Sequence, residues 1–126
     1  MRHFIAYHNQ EKMGYSCTSI SDPHVKTKKP VNGLDDVTVW LIAGEGKTPK
    51  SYYLASKFIA AHCQTNIFPG TELPNQISGS GKLTGKSIPI SKTTLLSLIR
   101  TDSANFVRGF YETHNTIIIS ALQVLL

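Results

Sequence analysis

The segment 37–61 constrains the fold of this chain more than any other stretch. It holds two apolar runs, 37–43 and 52–61, separated by a sequence with two glycines, a proline and two lysines. Two apolar runs around such a turn predict two core strands that form a hairpin. The same residues also fit a helix over 51–64 with a serine as its cap. We favour the hairpin, and the pattern alone leaves the helix open.

Composition indicates a globular domain with a moderately basic surface. Of the 126 residues, 40% are hydrophobic and 17% are charged, which is typical of a chain that buries a single core. Thirteen Lys and Arg residues against eight Asp and Glu residues give a formal charge of +5, which favours an anionic partner. A charge of this size is also ordinary for a soluble domain, so nucleic acid is one of several partners it allows.

Cysteine usage and hydropathy favour a cytoplasmic protein. Cys17 and Cys63 are too few for a disulfide scaffold and lack CxxC spacing, and the N-terminus does not resemble a signal peptide. We therefore expect two reduced thiols. The longest apolar stretch, 116–126, has about half the length that a membrane span needs, so no membrane association is predicted.

The segments on either side of the hairpin predict one strand and several loops. Residues 3–8 alternate in a way that predicts a strand, and the polar residues 9–16 predict a loop or a single helical turn at its end. Residues 21–36 are irregular and rich in lysine. Residues 66–85 are rich in glycine, proline, serine and asparagine and predict a long loop, which in a compact domain is usually functional or mobile.

The C-terminal third predicts two or three short strands and a helix. Residues 87–90 predict a short strand, and Ser91 is expected to cap a helix over 92–100 with leucine and isoleucine at core-facing spacing. Residues 106–112 predict another strand, and 116–119 predict a further one.

Together these elements predict an α+β fold. We expect one domain over residues 1–126, built on a small curved mixed sheet or barrel that is flanked by one to three helices.

The sequence contains no recognisable catalytic constellation. P-loop, GxGxxG, GxSxG and HExxH patterns do not occur, and the few carboxylates are scattered, so no acid/base pair is predicted. His62 and Cys63 are neighbours in a predicted strand, where adjacent side chains point to opposite faces. The His-Asn pairs at 8–9 and 114–115 lack the spacing and acidic context of an HNH nuclease. We therefore predict no catalytic residue, no metal site and no cofactor.

The remaining candidates for a functional site are aromatic residues. They lie at predicted strand ends and are interleaved with basic and polar residues. Aromatic faces can stack on a nucleobase while lysines hold phosphates. Taken singly, each aromatic residue is also a candidate for the core. The set consists of Tyr7, Tyr15, Trp40, Tyr52, Tyr53 and Phe68.

The order of these pieces resembles a known family. FIAYHNQEKMGYS runs into a lysine-rich segment and KPVNGLDD, then into VWLIAGEG and YYLASKF, and SGSG and NFVRGF follow. This order resembles the EVE/YTH-like domains of the PUA superfamily across nearly the whole chain. It is most similar to the domains at the N-terminus of modification-dependent restriction endonucleases, in which an HNH-type nuclease domain follows in the same chain.

The resemblance implies a non-enzymatic reader of double-stranded DNA. In this family a modified base is flipped out of the duplex into a pocket at one end of the sheet, and pocket contacts must recover a few kcal/mol of lost stacking. The implied base pocket contains Tyr7, His8, Asn9, Tyr15, Trp40, Phe68, Ser78, Gly79 and Ser80. The implied contacts to the DNA backbone are Lys12, Lys26, Lys28, Lys29, Lys47, Lys50 and Lys82.

Within this set the resemblance assigns separate roles. Trp40 and Tyr7 are the expected walls, and Phe68 or Tyr15 is the expected lid. The single tryptophan departs from YTH cages, which use two or three, so modified cytosine is favoured over methyladenine. The alternative function is an RNA- or small-ligand-binding PUA-like module of a larger assembly, and a small hydrolase lacks a supporting residue set.

Overall fold

The structure is a computed structural model, which describes residues 2–17, 22–47 and 49–126. The described residues form six strands and three helices. In chain order these are β1 (His3–Asn9), α1 (Gln10–Met13), β2 (His24–Thr27), β3 (Thr38–Glu45), β4 (Ser51–Gln64), β5 (Asn75–Leu83), α2 (Thr94–Asp102), β6 (Phe110–Thr113) and α3 (Thr116–Leu125).

All six strands belong to one mixed sheet, which curls into a half-barrel. The strand order is β2-β5-β4-β3-β1-β6, in which β1 and β3 are parallel and every other neighbouring pair is antiparallel. This architecture confirms the prediction of an α+β fold with a small curved mixed sheet and one to three helices.

The central hairpin is confirmed, and the alternative helix over 51–64 is wrong. β3 and β4 pair in antiparallel register from Thr38 opposite Ile59 to Glu45 opposite Ser51, with a bulge in β4 where the register shifts. Because of the bulge, Leu54 and Phe58 pack on opposite faces of the sheet, although their spacing fits one face of a helix. β3 is buried along its whole length, as expected for a central strand that is covered on both faces.

The two faces of the sheet carry separate cores. On one face Phe4, Leu41 and Phe58 pack with apolar residues from the segment between β2 and β3. On the other face Ile5, Trp40, Ile42 and Leu54 pack against the buried residues of α2 and α3, which include Leu96, Ile99, Ile118 and Leu122. The alternation in β1 therefore divides its side chains between the two cores, as the pattern predicted.

Trp40 belongs to the core beneath the helices, and its prediction as a wall of the base pocket is wrong. Its side chain is 0% exposed, so neither ring face is open to a ligand. The indole Nε1–H donates a hydrogen bond to Nδ1 of His3 at 3.1 Å, and the Lys57 ammonium lies 5.0 Å from the ring centre. Because α2 and α3 cover this face of the central strand β3, a large side chain on that face has no access to solvent.

The hydrogen bond to Trp40 predicts a pH dependence of stability. His3 must be neutral to accept it, and burial lowers the pKa of His3, with Lys57 lowering it further. Below the ordinary histidine pKa of about 6.5 the unfolded chain therefore binds more protons than the folded chain. We expect the free energy of unfolding to be highest above that pH and to decrease as the pH falls toward the folded-state pKa of His3.

Urea titrations at pH 7.5 and pH 5 measure this change. In the matched variant His3→Gln the amide oxygen still accepts from Trp40, but the residue does not titrate. The decrease between the two pH values should be smaller in the variant than in the parent. An equal decrease in both proteins would contradict the role of His3.

β5 lies inside the segment 66–85, so the prediction of one long loop there is wrong. Only its first part is irregular, and 75–83 pairs with β4 along its length and with β2 at its start. Two of the glycines that suggested a loop, Gly79 and Gly81, are required by close strand pairing. A Cβ on Gly79 would clash with the backbone of Ile59, and a Cβ on Gly81 would clash with the backbone of Lys57 and Phe58.

Gly81→Ala is expected to lower the free energy of unfolding by about 1–3 kcal/mol, because the clashing atoms are backbone and cannot rotate away. Gly109→Ala is the matched control, since a Cβ there meets no atom within 4 Å. Thermal or urea denaturation of both variants measures the difference. Equal stability of the two variants would show that β4 and β5 are not paired this closely.

Several C-terminal predictions need correction. Residues 87–90 form one isolated bridge, between Pro89 and Tyr53, rather than a strand. The cap of α2 is Thr93, whose side chain accepts from the Leu96 N–H, while the Ser91 hydroxyl accepts from the Tyr52 N–H. The strand predicted at 106–112 is shorter and begins at residue 110, where β6 starts.

The strand predicted at 116–119 is wrong, because those residues open the helix α3. Asn115 caps this helix, and its side-chain oxygen accepts hydrogen bonds from the N–H groups of Ile117 and Ile118. The run of β-branched isoleucines suggested a strand, but the cap and the burial of Ile118 and Leu122 against the sheet outweigh that propensity.

Candidate nucleic-acid interface

A cavity of about 840 Å³ opens where β1 runs into α1. Its walls come from the end of β1, from α1, from β2, from the start of β4, from α2 and from the loop between α2 and β6. The volume lies in the range of ordinary ligand pockets. One end of the sheet therefore carries a cavity that is built from segments far apart in the sequence.

The cavity brings together most of the residues that were predicted to bind DNA. From the predicted base pocket it contains Tyr7, His8, Asn9 and Tyr15, and from the predicted backbone contacts it contains Lys12, Lys26, Lys28, Lys29 and Lys50. Before folding, these residues occupy three separate segments. They meet because the sheet curls into a half-barrel, although β2 forms one edge of the sheet and β1 lies next to β6 at the other.

Three aromatic rings with nearly parallel planes line one side of this cavity. Phe106 covers Tyr7 with a centroid distance of 4.0 Å and an interplanar angle of 15°. Tyr52 lies 5.7 Å from Phe106 and 6.4 Å from Tyr7. The Arg100 guanidinium lies 4.9 Å from the Tyr52 ring centre and donates a hydrogen bond to the Tyr52 hydroxyl at 2.8 Å. This wall can stack on a planar ligand and present a cation beside it.

Tyr7 stays a neutral phenol at physiological pH. Burial raises the pKa of Tyr7 well above its ordinary value, and the neighbouring Tyr52 raises it further. Its hydroxyl lies against Gly44 of β3, where a Cβ would overlap it. Gly44 therefore leaves the space in which the Tyr7 ring can lie along the cavity wall.

His8 and Asn9 mainly hold the surrounding backbone. The buried His8 places Nε2 2.9 Å from the carbonyl oxygen of Tyr15, and the rings of these two residues are 4.9 Å apart. Asn9 caps α1, since its side-chain oxygen accepts hydrogen bonds from the N–H groups of Glu11 and Lys12. Both residues border the cavity, and both fix the turn that follows β1.

The described lining of the cavity is strongly cationic. The lining contains five lysines and Arg100 but one carboxylate, that of Glu72. Partial desolvation of the exposed Lys29 lowers its pKa, and the positive charges of Arg108 and Lys28 lower it further, so these cations repel one another in the protein without ligand. An anionic group at this position would relieve that repulsion.

The cations differ in how far they are already engaged by the protein. Lys26 lies 4.6 Å above the ring of Phe68, and Lys50 bonds to the carbonyl oxygen of Gly46 at 3.0 Å. Lys12, Lys28 and Lys29 are exposed. These three are the best placed to reach phosphates of a bound nucleic acid.

Some predicted site residues lie outside this cavity. Phe68 is behind Lys26 and does not border the cavity, and neither do the exposed Lys47 and Lys82. Ser78, Gly79 and Ser80 belong to β5 rather than to a loop, and they line a separate depression of about 490 Å³. The two depressions share His24 as a bordering residue.

Among the lining residues that were missing from the predicted site, three form the aromatic and cationic wall: Tyr52, Arg100 and Phe106. Tyr52 was in the set of candidate aromatic residues, so its signal was present. Arg100 reaches the cavity because α2 packs across the sheet, which the local sequence does not indicate. Phe106 was assigned to a strand, whereas it lies in a turn with three consecutive left-handed residues.

That turn carries unusual backbone strain. Ala104, Asn105 and Phe106 have φ angles of 53°, 56° and 65°. Left-handed backbone costs roughly 1–2 kcal/mol for a residue with a side chain, although asparagine tolerates it better. The Ser103 hydroxyl accepts a hydrogen bond from the Phe106 N–H at 2.9 Å and helps to hold this conformation.

The described residues show no arrangement typical of metal or thiol chemistry. Across 2–17, 22–47 and 49–126, no group of three or more His, Cys, Asp or Glu side chains is placed to hold a metal ion. Cys17 and Cys63 are free thiols, and burial, with Glu45 nearby, raises the pKa of Cys17 to about 11. No helix in the described part of the chain is both long and apolar enough to cross a membrane.

Comparison with known proteins gives no family assignment: no protein-family model matches this chain, and no curated protein matches it.

Proposed function

We propose that this chain is a non-enzymatic module that binds double-stranded DNA and takes one flipped, modified base into the cavity at the end of β1. The carrying observation is the cavity itself, in which three nearly parallel aromatic rings stand among six cationic side chains. Modified cytosine is the favoured target, as the family resemblance implies. An HNH-type nuclease domain in the same chain is the proposed partner that would cut the DNA.

The two kinds of residue support different parts of this proposal. Aromatic faces stack on any base, and this contact can repay the cost of taking a base out of the duplex. Lysines supply the salt-dependent attraction to phosphates, which is independent of sequence and of base modification. The proposal therefore separates discrimination, which depends on the rings, from general affinity, which depends on the exposed lysines.

Tyr7→Leu is expected to remove most of the preference for modified DNA while general DNA binding remains. Loss of one base–aromatic stack costs about 1–3 kcal/mol, so affinity for the modified duplex should fall roughly 5- to 150-fold. Affinity for the matched unmodified duplex should change little. Fluorescence anisotropy with duplexes that carry cytosine, several modified cytosines or methyladenine measures both affinities.

Tyr53→Leu is the matched control, because Tyr53 is also a half-buried tyrosine but does not border the cavity. Its preference for modified DNA should equal that of the parent. A parent protein that binds all these duplexes equally would contradict the proposed function. Tighter binding to single-stranded RNA than to any duplex would favour the RNA-binding alternative.

A further inference from the structure

The loop between α2 and β6 places an aromatic side chain on the best stacking surface of the cavity. Phe106 lies parallel to Tyr7 with 4.0 Å between the ring centres. A base inserted between two rings needs them about 7–8 Å apart, since each contact takes about 3.5–4 Å. A base therefore cannot stack on this face of Tyr7 while Phe106 remains there.

We infer that Phe106 is a displaceable stand-in for the ligand and that the ligand's planar ring binds on the face of Tyr7 that Phe106 covers. This inference rests on the proposed function and specifies where in the cavity the base stacks. It makes Phe106 a residue that sets selectivity, because a ligand must stack on Tyr7 better than a phenyl ring does. The class of ligand that we expect the cavity to bind is a planar heteroaromatic ring with a negative charge nearby.

The backbone of the loop supports displacement rather than a permanent wall. Three successive residues, Ala104, Asn105 and Phe106, have left-handed φ angles, so the covering position is strained. A backbone movement that returned these residues to negative φ angles would release that strain. Val107 next to it is 83% exposed, and Arg108 and Gly109 are also exposed, so this side of the loop has solvent to move into.

The two ends of the loop are fixed, which limits the motion to its middle. At one end the Ser103 N–H bonds to the carbonyl oxygen of Ile99 at 2.9 Å, and at the other the Tyr7 N–H bonds to the carbonyl oxygen of Gly109 at 2.8 Å. The Ser103 side chain is 0% exposed. The residues between these anchors are also hydrogen-bonded, since the Asn105 N–H bonds to the carbonyl oxygen of Arg100 at 2.6 Å and the Arg108 N–H bonds to that of Ser103 at 3.0 Å. A movement of the backbone of 104–108 would break these bonds, whereas rotation of the Phe106 side chain uncovers Tyr7 and keeps them.

The surrounding charges define the ligand further. Arg100 stacks on Tyr52 beside the covered face, and Lys28 and Lys29 border the same cavity. Arg108 lies in the same loop as Phe106 and is close enough to Lys29 to lower its pKa. A ligand that carries phosphate beside its ring would offset this repulsion as its ring replaces Phe106.

Phe106→Ala distinguishes a stand-in from a wall by the sign of the effect. If Phe106 competes with the ligand, the variant should bind the duplex with the preferred modification more tightly than the parent, by about tenfold when the covered state predominates ten to one. A permanent wall requires weaker binding of the variant. Weaker or unchanged binding would overturn the inference. Val124→Ala, at an 84% exposed position on α3, is the control for surface truncation and should match the parent.

A second measurement does not depend on DNA recognition. The anionic dye 8-anilinonaphthalene-1-sulfonate combines a planar naphthalene ring with a negative charge, the two features that we infer for the ligand. Its affinity should rise in Phe106→Ala and fall back in the double variant Phe106→Ala, Tyr7→Leu. Unchanged or weaker dye binding by Phe106→Ala overturns the stand-in role. If the dye behaves as expected but no duplex is preferred, the proposed function fails while the covered stacking face stands.

Discussion

Replacing Trp40 with alanine is expected to lower the free energy of unfolding by about 3–5 kcal/mol, which is a large part of the stability of a domain of this size. The ring is completely enclosed between the sheet and the helices, so its removal leaves a cavity that the surrounding side chains fill only in part. The variant also leaves the His3 ring nitrogen without its donor. Urea denaturation followed by circular dichroism measures the change.

Trp40→Phe is the graded companion to this experiment. It keeps an apolar ring but removes the indole N–H, so we expect a smaller loss of about 1–3 kcal/mol from the unpaired buried acceptor. The folded Trp40→Phe protein should prefer modified DNA as strongly as the parent. A stable variant that has lost this preference would return Trp40 to the base-binding site.

Replacing Lys12, Lys28 and Lys29 together with glutamine is expected to weaken binding to every duplex by about the same factor. Each lost phosphate contact reduces the slope of log affinity against log salt by about 0.9, so three contacts reduce it by about 2.7. Near 0.1 M salt this corresponds to roughly several hundredfold lower affinity. The ratio of modified to unmodified binding should not change, because phosphate contacts do not report on the base.

A triple variant of Lys47, Lys82 and Lys92 is the matched control. It removes the same charge from exposed positions that do not border the cavity. Its salt dependence should stay close to that of the parent. If the slope of log affinity against log salt decreases equally in both triple variants, the attraction to DNA depends on the net charge rather than on this cavity.

The elements that the sequence predicted correctly are those that have a clear local pattern of apolar and polar residues. The β3–β4 hairpin was recognisable because two apolar runs flank a turn that contains glycine and proline. The end of β1 was recognisable as part of a candidate site because Tyr7, His8 and Asn9 follow directly from an apolar strand into polar residues. Those three side chains border the same cavity as Lys26 of β2 and the two lysines that follow it, Lys28 and Lys29.

The errors come from contacts that no local pattern encodes. Whether Trp40 faces solvent or core depends on which side of the sheet α2 and α3 cover. The glycines in β5 indicate a loop by composition, yet the backbone of β4 lies too close for any larger residue. Phe106 reaches Tyr7 only through a left-handed turn that its own side chain disfavours.

The pairing of β1 with β6 has a consequence for how this chain folds. β1 is hydrogen-bonded to β3 on one side and to β6 on the other, and Arg2 forms an ion pair with Glu112 across 110 positions of sequence. Contacts between such distant residues must wait until a long loop closes, which slows folding. During synthesis, β1 would emerge from the ribosome long before β6 and would remain without this neighbour until 110–113 had also emerged. Until then, one edge of the first strand would be open to pairing with other chains.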